Sequence, residues 1–321
     1  MALAVVGAVG AVLAVMVGTV SPAAGQVTVE VNRAVQYGEG SGAPLLLDAY
    51  VPAAEGTDRR PAVVLVHGGG GREVFDREAR LIAAKGWVAF TIDYRPGAVA
   101  AVEDMSVAVT WVRANADRYR VEPGRIAALG ESFGGYLVGM AAVVGRGDRS
   151  EGSRVRAAVS WSGPMDLAAL AREQGEAAVA PMVGCRLADC PDLYADLSPI
   201  THVDPTDAPL YMISGTGEPV IRAQATAMAT RIEDVGGRTQ LQAVEGSRTA
   251  LEYREDVWAP TELFLERQLV PQPATSIGTL VFALTIALSS CRQTAPRRRA
   301  PPLYATAVGR SAVLSSHPLL P

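Results

Sequence analysis

Hydrophobic residues between positions 26 and 270 fall into two kinds of run. One kind is continuous, as in PAVVLV (61–66), WVAFTI (87–92) and APLYMI (208–213). Such runs are typical of strands buried on both faces of a parallel sheet. The other kind has helical spacing, as in FDREARLIAAKG (75–86) and IRAQATAMATRIEDVG (221–236). Strands and helices alternate throughout, which predicts an α/β fold with a mostly parallel twisted sheet and helices on both faces.

The two ends of the chain have a different pattern. Residues 1–20 are almost wholly apolar and are followed by the small residues of SPAAGQV. This order predicts a signal peptide over residues 1–25, or alternatively an uncleaved membrane anchor. Residues 271–321 hold a short apolar stretch, 277–288, and then a Pro/Arg-rich tail. A membrane-spanning helix needs about 20 apolar residues, and this stretch is shorter. Residues 271–321 are therefore predicted to be either a weak membrane anchor or a disordered tail. The expected location is secreted or extracytoplasmic, with membrane attachment through either terminus as a further possibility.

Composition narrows the class of protein. The chain has 321 residues, 49% of them hydrophobic, and a net charge of −4 without a basic run in the 26–270 segment. This length and hydrophobic content allow a large buried core. The charge balance argues against a nucleic-acid partner.

Two cysteines lie close together in CRLADC, at Cys185 and Cys190. In an exported protein such a pair is expected to form a disulfide that closes a small loop. A metal site is disfavoured because no histidine or further cysteine lies nearby in the sequence. The third cysteine, Cys291, stands alone in the tail.

The stretch IAALGESFGGYLVG (126–139) places Ser132 between two glycines, after an apolar run and before a helical one. A G-x-S-x-G sequence at a strand-to-helix turn is typical of a nucleophile elbow, where strained backbone lifts the hydroxyl clear of the sheet. The alternative is a serine that only caps the helix. We interpret Ser132 as the nucleophile.

A second glycine-rich loop, HGGGG (67–71), ends the third predicted strand. Acyl transfer needs N–H donors where the carbonyl oxygen becomes negative, and glycines leave their amides uncovered. Gly69 and Gly70 are therefore predicted oxyanion donors, together with the Phe133 amide. We interpret His67 as a residue that shapes this loop rather than as a catalytic base.

Together and in this order, these motifs resemble the α/β-hydrolase superfamily, from about Val31 to Leu269. The resemblance is strongest to the bacterial carboxylesterases of the hormone-sensitive-lipase and feruloyl/acetyl-xylan esterase kind. It implies hydrolysis of carboxylic esters by a serine, an acid and a histidine, with no cofactor and a small-molecule ester as the partner. The chain departs from the common pattern at Gly71, where an aromatic residue is usual, and at Phe133, where alanine is common.

The resemblance also implies positions for the acid and the base. Glu218, in SGTGEPV after a predicted strand, stands where the family carries its acid. Thr249, in VEGSRTALEY, stands where the family carries its histidine. Threonine cannot accept a proton at neutral pH as histidine can. The remaining histidines, His202 and His317, lie elsewhere in the sequence; His202 is weighed as a substitute base and disfavoured because it breaks the triad order.

The sequence therefore predicts a serine carboxylesterase that hydrolyses short-chain acyl esters. Its catalysis is predicted to be impaired because Thr249 occupies the position of the histidine. The alternative is a non-catalytic relative that binds a ligand or a partner protein through the same cleft.

Overall fold

The computed structural model describes residues 27–53 and 56–271. The predicted signal peptide and the C-terminal apolar stretch and tail lie outside the described residues. Within the described part, no helix is both long and apolar enough to cross a membrane.

Eight strands form one sheet in the order β1-β2-β4-β3-β5-β6-β7-β8. Strands β3 to β8 run parallel, whereas β1 pairs antiparallel with β2, and β2 antiparallel with β4. The strands span Val29–Gly40 (β1), Ala43–Pro52 (β2), Arg60–Val66 (β3), Val88–Ile92 (β4), Val121–Glu131 (β5), Ala158–Trp161 (β6), Leu210–Gly215 (β7) and Thr239–Val244 (β8). This is the mostly parallel α/β sheet that the sequence predicts.

Helices follow the strands and cover both faces of the sheet. Those of the described residues span Asp76–Ala84 (α1), Ala98–Ala114 (α2), Ala116–Tyr119 (α3), Phe133–Val144 (α4), Leu167–Gln174 (α5), Glu176–Val183 (α6), Pro191–Asp196 (α7), Pro219–Asp234 (α8) and Arg254–Leu269 (α9). Short 3₁₀ turns lie at Arg72–Phe75, Pro199–His202 and Ala250–Tyr253.

Burial on both faces explains why the central strands are continuously apolar. In β3, Val64 and Val66 belong to the hydrophobic cluster on one face, whereas Val63 and Leu65 belong to the cluster on the other. All four side chains are fully buried. Since side chains alternate along a strand, a two-sided core requires apolar residues at every position.

One predicted core position is wrong. The helical spacing of VEDMSVAVTWVRANADRY (102–119) predicts that Val107, Trp111 and Val112 lie on the inner face of α2, but Val107 is 42% exposed. Val112 is fully buried and Trp111 packs against the core from a partly buried position. The buried stripe of α2 runs through Met105, Ala108 and Val112. Val107 lies two residues after Met105, about 200° around the helix, and so points away from that stripe.

Candidate active site

Ser132 lies at the corner between β5, which ends at Glu131, and α4, which begins at Phe133. Its φ of 51° and ψ of −120° lie in a region that non-glycine residues rarely adopt. Ser132 occupies the N-cap position of α4, yet its side chain makes no capping hydrogen bond. The residue instead lines a cavity at the carboxyl edge of the sheet. This backbone is that of a nucleophile elbow rather than of an ordinary helix cap.

Close packing around the elbow explains its glycines. A Cβ at Gly130 would lie 2.2 Å from the Gly134 carbonyl oxygen, and one at Gly134 would lie 1.9 Å from the Val66 carbonyl oxygen. One at Gly135 would meet Ser160 Oγ at 2.8 Å. The helix therefore approaches β3, β5 and β6 so closely that no larger side chain fits without movement.

The glycine loop after β3 touches the elbow through Gly68. A Cβ there would lie 2.6 Å from Ser132 Cβ. The Gly68 amide donates to Glu131 Oε1 at 2.5 Å, and the Gly69 amide lies near the same carboxylate. Glu131 is 4% exposed. Burial raises the pKa of its carboxyl, and the two amides oppose that change. The side chain of Glu131, next to Ser132, thus fixes the glycine loop.

The structure brings one of the three predicted oxyanion donors, Phe133, to the cavity. Phe133 lines it, whereas Gly69 and Gly70 are not among its lining residues. Gly70 has a φ of 85°, which favours glycine. The Phe133 amide, at the start of α4, is the predicted donor that adjoins Ser132 directly.

Glu218 follows β7 and is the N-cap residue of α8. Its Oε2 accepts hydrogen bonds from Ser162 Oγ at 2.6 Å and from the Gly215 amide at 2.9 Å. Glu218 lines the same cavity as Ser132. The fold therefore brings the predicted acid to the cavity of the predicted nucleophile.

Thr249 follows β8 and opens the 3₁₀ turn Ala250–Tyr253. Its amide and its Oγ1 both bond Glu252 Oε2, at 2.8 Å and 3.2 Å, in a capping box. Thr249 also lines the cavity, which has a volume of about 480 Å³. The predicted nucleophile, the predicted acid and the expected base position thus line one cavity, and at the third position Thr249 caps a turn.

Two histidines lie within the described residues, and neither lines this cavity. His67 stacks on Tyr94 with ring centroids 4.7 Å apart, and its Nε2 lies 3.6 Å from Asp93 Oδ1. Burial lowers the pKa of His67. His202 Nε2 contacts the Asp196 carbonyl oxygen at 2.7 Å. His317 lies outside the described residues.

Sequence reasoning missed Ser162, at the end of β6. Its φ is 51°, it is 6% exposed, and it lines the cavity. Its Oγ donates to Glu218, accepts from the Ala250 amide at 3.1 Å, and lies 2.7 Å from Tyr253 Oη. One hydroxyl therefore links the acid loop to the loop that carries Thr249. The only local signal is its place at a strand end before Gly163.

Helices α5 and α6 cover one side of the cavity. Leu170, Gln174 and Met182 from these helices line it. Shortly after α6, Cys185 and Cys190 are joined in a disulfide. Tyr194 Oη donates to the Cys185 carbonyl oxygen at 3.0 Å, so α7 is tied to the same loop.

Comparison with known proteins agrees with this architecture. Esterase LipQ of Mycobacterium tuberculosis is 28% identical over 228 residues, which are 64% of this chain and 53% of LipQ. Esterase LipC of the same organism is 30% identical, over 67% of this chain and 58% of LipC. The chain thus spans little more than half the length of these curated relatives.

Solved structures of an esterase superpose on this chain. Thermogutta terrifontis esterase 2 phosphoramylated by tabun superposes with a TM-score of 0.62 at 25% identity, covering 76% of this chain and 97% of the esterase. The same esterase with propionate bound gives a TM-score of 0.60 at 25% identity, covering 78% of this chain and 97% of the esterase.

Sheet order, elbow and cavity define an α/β-hydrolase of the carboxylesterase branch. The family model for BD-FAE matches residues 47–232. The chain belongs to the BD-FAE family.

Proposed function

We propose that this protein is a serine hydrolase of short-chain carboxylic esters whose turnover is slow because Thr249 stands in the base position. The observation that carries the proposal is the convergence of Ser132, Glu218 and Thr249 on one cavity at the carboxyl edge of the sheet. In open α/β sheets this edge is where ligands bind. The curated relatives are esterases, which supports the reaction class.

In the proposed reaction, Ser132 Oγ forms a bond to the acyl carbon and the carbonyl oxygen becomes negative. Backbone amides, with the Phe133 amide nearest, stabilise this charge. The alcohol then leaves with a proton, and water hydrolyses the acyl-enzyme to release the carboxylic acid.

Without an imidazole, the Oγ proton passes to solvent and the alcohol takes its proton from water. Loss of one triad member typically costs about 10⁴-fold in rate, while the oxyanion donors retain part of the catalysis.

The acyl group is proposed to be small. The cavity volume of about 480 Å³ suits a small molecule. Thermogutta terrifontis esterase 2 has been seen with propionate bound, which supports a short acyl chain.

A non-catalytic binding role is the second candidate. It is favoured by the hydrogen bonds of Thr249, whose amide and hydroxyl are both committed to Glu252. In that case the cavity would hold an ester-like ligand or a partner segment without cleaving it.

An alkyl fluorophosphonate separates the two candidates. The reagent phosphonylates activated serines, and the Thermogutta esterase is described as phosphoramylated by tabun. We expect slow labelling, assigned to Ser132 by peptide mass spectrometry and absent in Ser132→Ala. Slow hydrolysis of p-nitrophenyl acetate should disappear in the same variant. Ser160→Ala is the matched control, because it removes a buried hydroxyl of β6 that has no hydrogen-bond partner and should leave Ser132 labelled.

No labelling of the folded wild-type chain after long incubation would contradict the catalytic proposal and favour the binding role. Fast turnover by the wild-type chain, comparable with that of an intact esterase, would contradict the impairment.

A further inference from the structure

Four arginines gather at the sheet edge opposite the Ser132 cavity. Arg154 and Arg156 precede β6, Arg238 precedes β8, and Arg149 lies in the loop between α4 and β6. Because β6, β7 and β8 are parallel neighbours, their amino ends meet at one edge. Residues far apart in the sequence thus form one group, which we call the arginine cluster.

The cluster is held together by backbone carbonyls rather than by carboxylates. Arg149 Nη2 and Arg154 Nη1 both donate to the Thr206 carbonyl oxygen, at 3.2 Å and 3.3 Å. Arg156 Nε donates to the Gln268 carbonyl oxygen at 3.2 Å. Among the residues that the structure describes, none of the four arginines forms an ion pair.

Positive charge is therefore concentrated here. Burial lowers the pKa of Arg149, and the charges of Arg156, Arg154 and Arg238 lower it further. Arg149 Nε is buried and has no hydrogen-bond partner. Guanidinium groups that lie close together without carboxylate partners match the oxygens of a phosphate.

The acidic groups near the cluster leave an excess of positive charge. Asp204 and Asp207 lie in the loop before β7, close enough to Arg154 for its positive charge to act on both carboxyls. Asp204 Oδ1 already accepts from the Thr206 amide and hydroxyl. Burial raises the pKa of Asp207 to about 6. The two carboxyls of this loop, together with Glu233 of the adjoining cavity, thus stand beside four guanidinium groups.

A cavity adjoins the cluster. It has a volume of about 400 Å³ and is lined by Arg238, Arg267 and Gln268, with Glu233 as its acidic residue. Arg156 bonds the carbonyl of Gln268, so the cavity lies directly beside the cluster.

We propose that the arginine cluster and this cavity form a binding site for a phosphate group, carried by a soluble molecule or by a lipid headgroup. The site lies at the opposite edge of the sheet from Ser132 and does not depend on the proposed function. The sequence does not indicate this site, because the net charge is −4 and the arginines are dispersed along the chain.

The test is calorimetric titration of the full chain at constant ionic strength. One arm uses inorganic phosphate; the other uses phosphatidylglycerol vesicles, compared with pure phosphatidylcholine vesicles. We expect Arg149→Gln/Arg238→Gln to weaken binding by about tenfold or more, because two charge-assisted contacts are lost. The single variant Arg238→Gln removes an exposed side chain that makes no hydrogen bond in the described structure, and so guards against misfolding.

Arg172→Gln is the matched control, since it removes an exposed arginine on α5 and should leave binding unchanged. The arginines of residues 292–310 remain in every variant, so only the difference between variants counts. Cluster-dependent binding of phosphate assigns a soluble ligand, and cluster-dependent binding of anionic vesicles alone assigns a headgroup. Binding to neither probe, or equal binding by all variants, overturns the proposal.

Discussion

The hydroxyl of Ser162, at the end of β6, takes part in three hydrogen bonds. Its Oγ contacts Glu218 Oε2, the Ala250 amide and Tyr253 Oη, and its backbone is in the left-handed region. Non-glycine residues persist in that region only when their surroundings hold them there. We therefore regard Ser162 as a positioning residue for the two loops that bear Glu218 and Thr249.

Substitution Ser162→Ala should destabilise the protein by about 1–3 kcal/mol, because it leaves the buried Ala250 amide and Tyr253 hydroxyl without this partner. The free energy of unfolding from urea titration measures the effect. Ser160→Ala, two residues earlier on the same strand, is the control: Ser160 Oγ is buried without a partner, so its removal should be neutral or stabilising. Equal losses in the two variants would refute the role of the Ser162 hydroxyl.

At the scale of elements, the elbow depends on how closely α4 approaches β3. Gly134 is the point of contact, where any Cβ would meet the carbonyl oxygens of Val66 and His67 at 1.9 Å and 2.6 Å. Those carbonyls belong to backbone that leads into the glycine loop. The packing of α4 against β3 is therefore expected to set how Ser132 lies relative to the glycine loop.

Gly134→Ala should cost about 1–3 kcal/mol or more in unfolding free energy, because α4 must move away from β3. The same shift should slow fluorophosphonate labelling of Ser132. Gly124→Ala in β5 is the control, since a Cβ there meets nothing within 4 Å. If Gly134→Ala were as stable and as reactive as Gly124→Ala, this close approach would not be required.

For the whole molecule, sequence patterns were sufficient for the architecture. Continuous apolar runs such as 61–66 predict strands because both faces of the sheet are covered, and the structure confirms the mostly parallel α/β sheet. Loops at the carboxyl ends of parallel strands must share an edge, which is why Ser132, Glu218 and Thr249 could be expected together.

Other features could not be predicted from the sequence, because they arise from contacts between distant segments. The bond from Gly68 to Glu131 joins the glycine loop to the end of β5. The positive φ of Ser162 could not be predicted, because serine has no preference for that conformation. The exposure of Val107 depends on which face of α2 meets the sheet. The arginine cluster depends on strand order, which brings residues 149–156 and 238 together.

We propose that the molecule presents a nucleophile, Ser132, and an acid, Glu218, without an imidazole between them. The most direct test is the steady-state rate of p-nitrophenyl acetate hydrolysis by Thr249→His, with Thr249→Ala and Ser132→Ala/Thr249→His as controls. We expect a gain of about 10²–10⁴-fold over wild type in the single histidine variant only, since an imidazole can accept the Oγ proton and return it to the alcohol. A folded Thr249→His protein that is no faster than the wild type would contradict it.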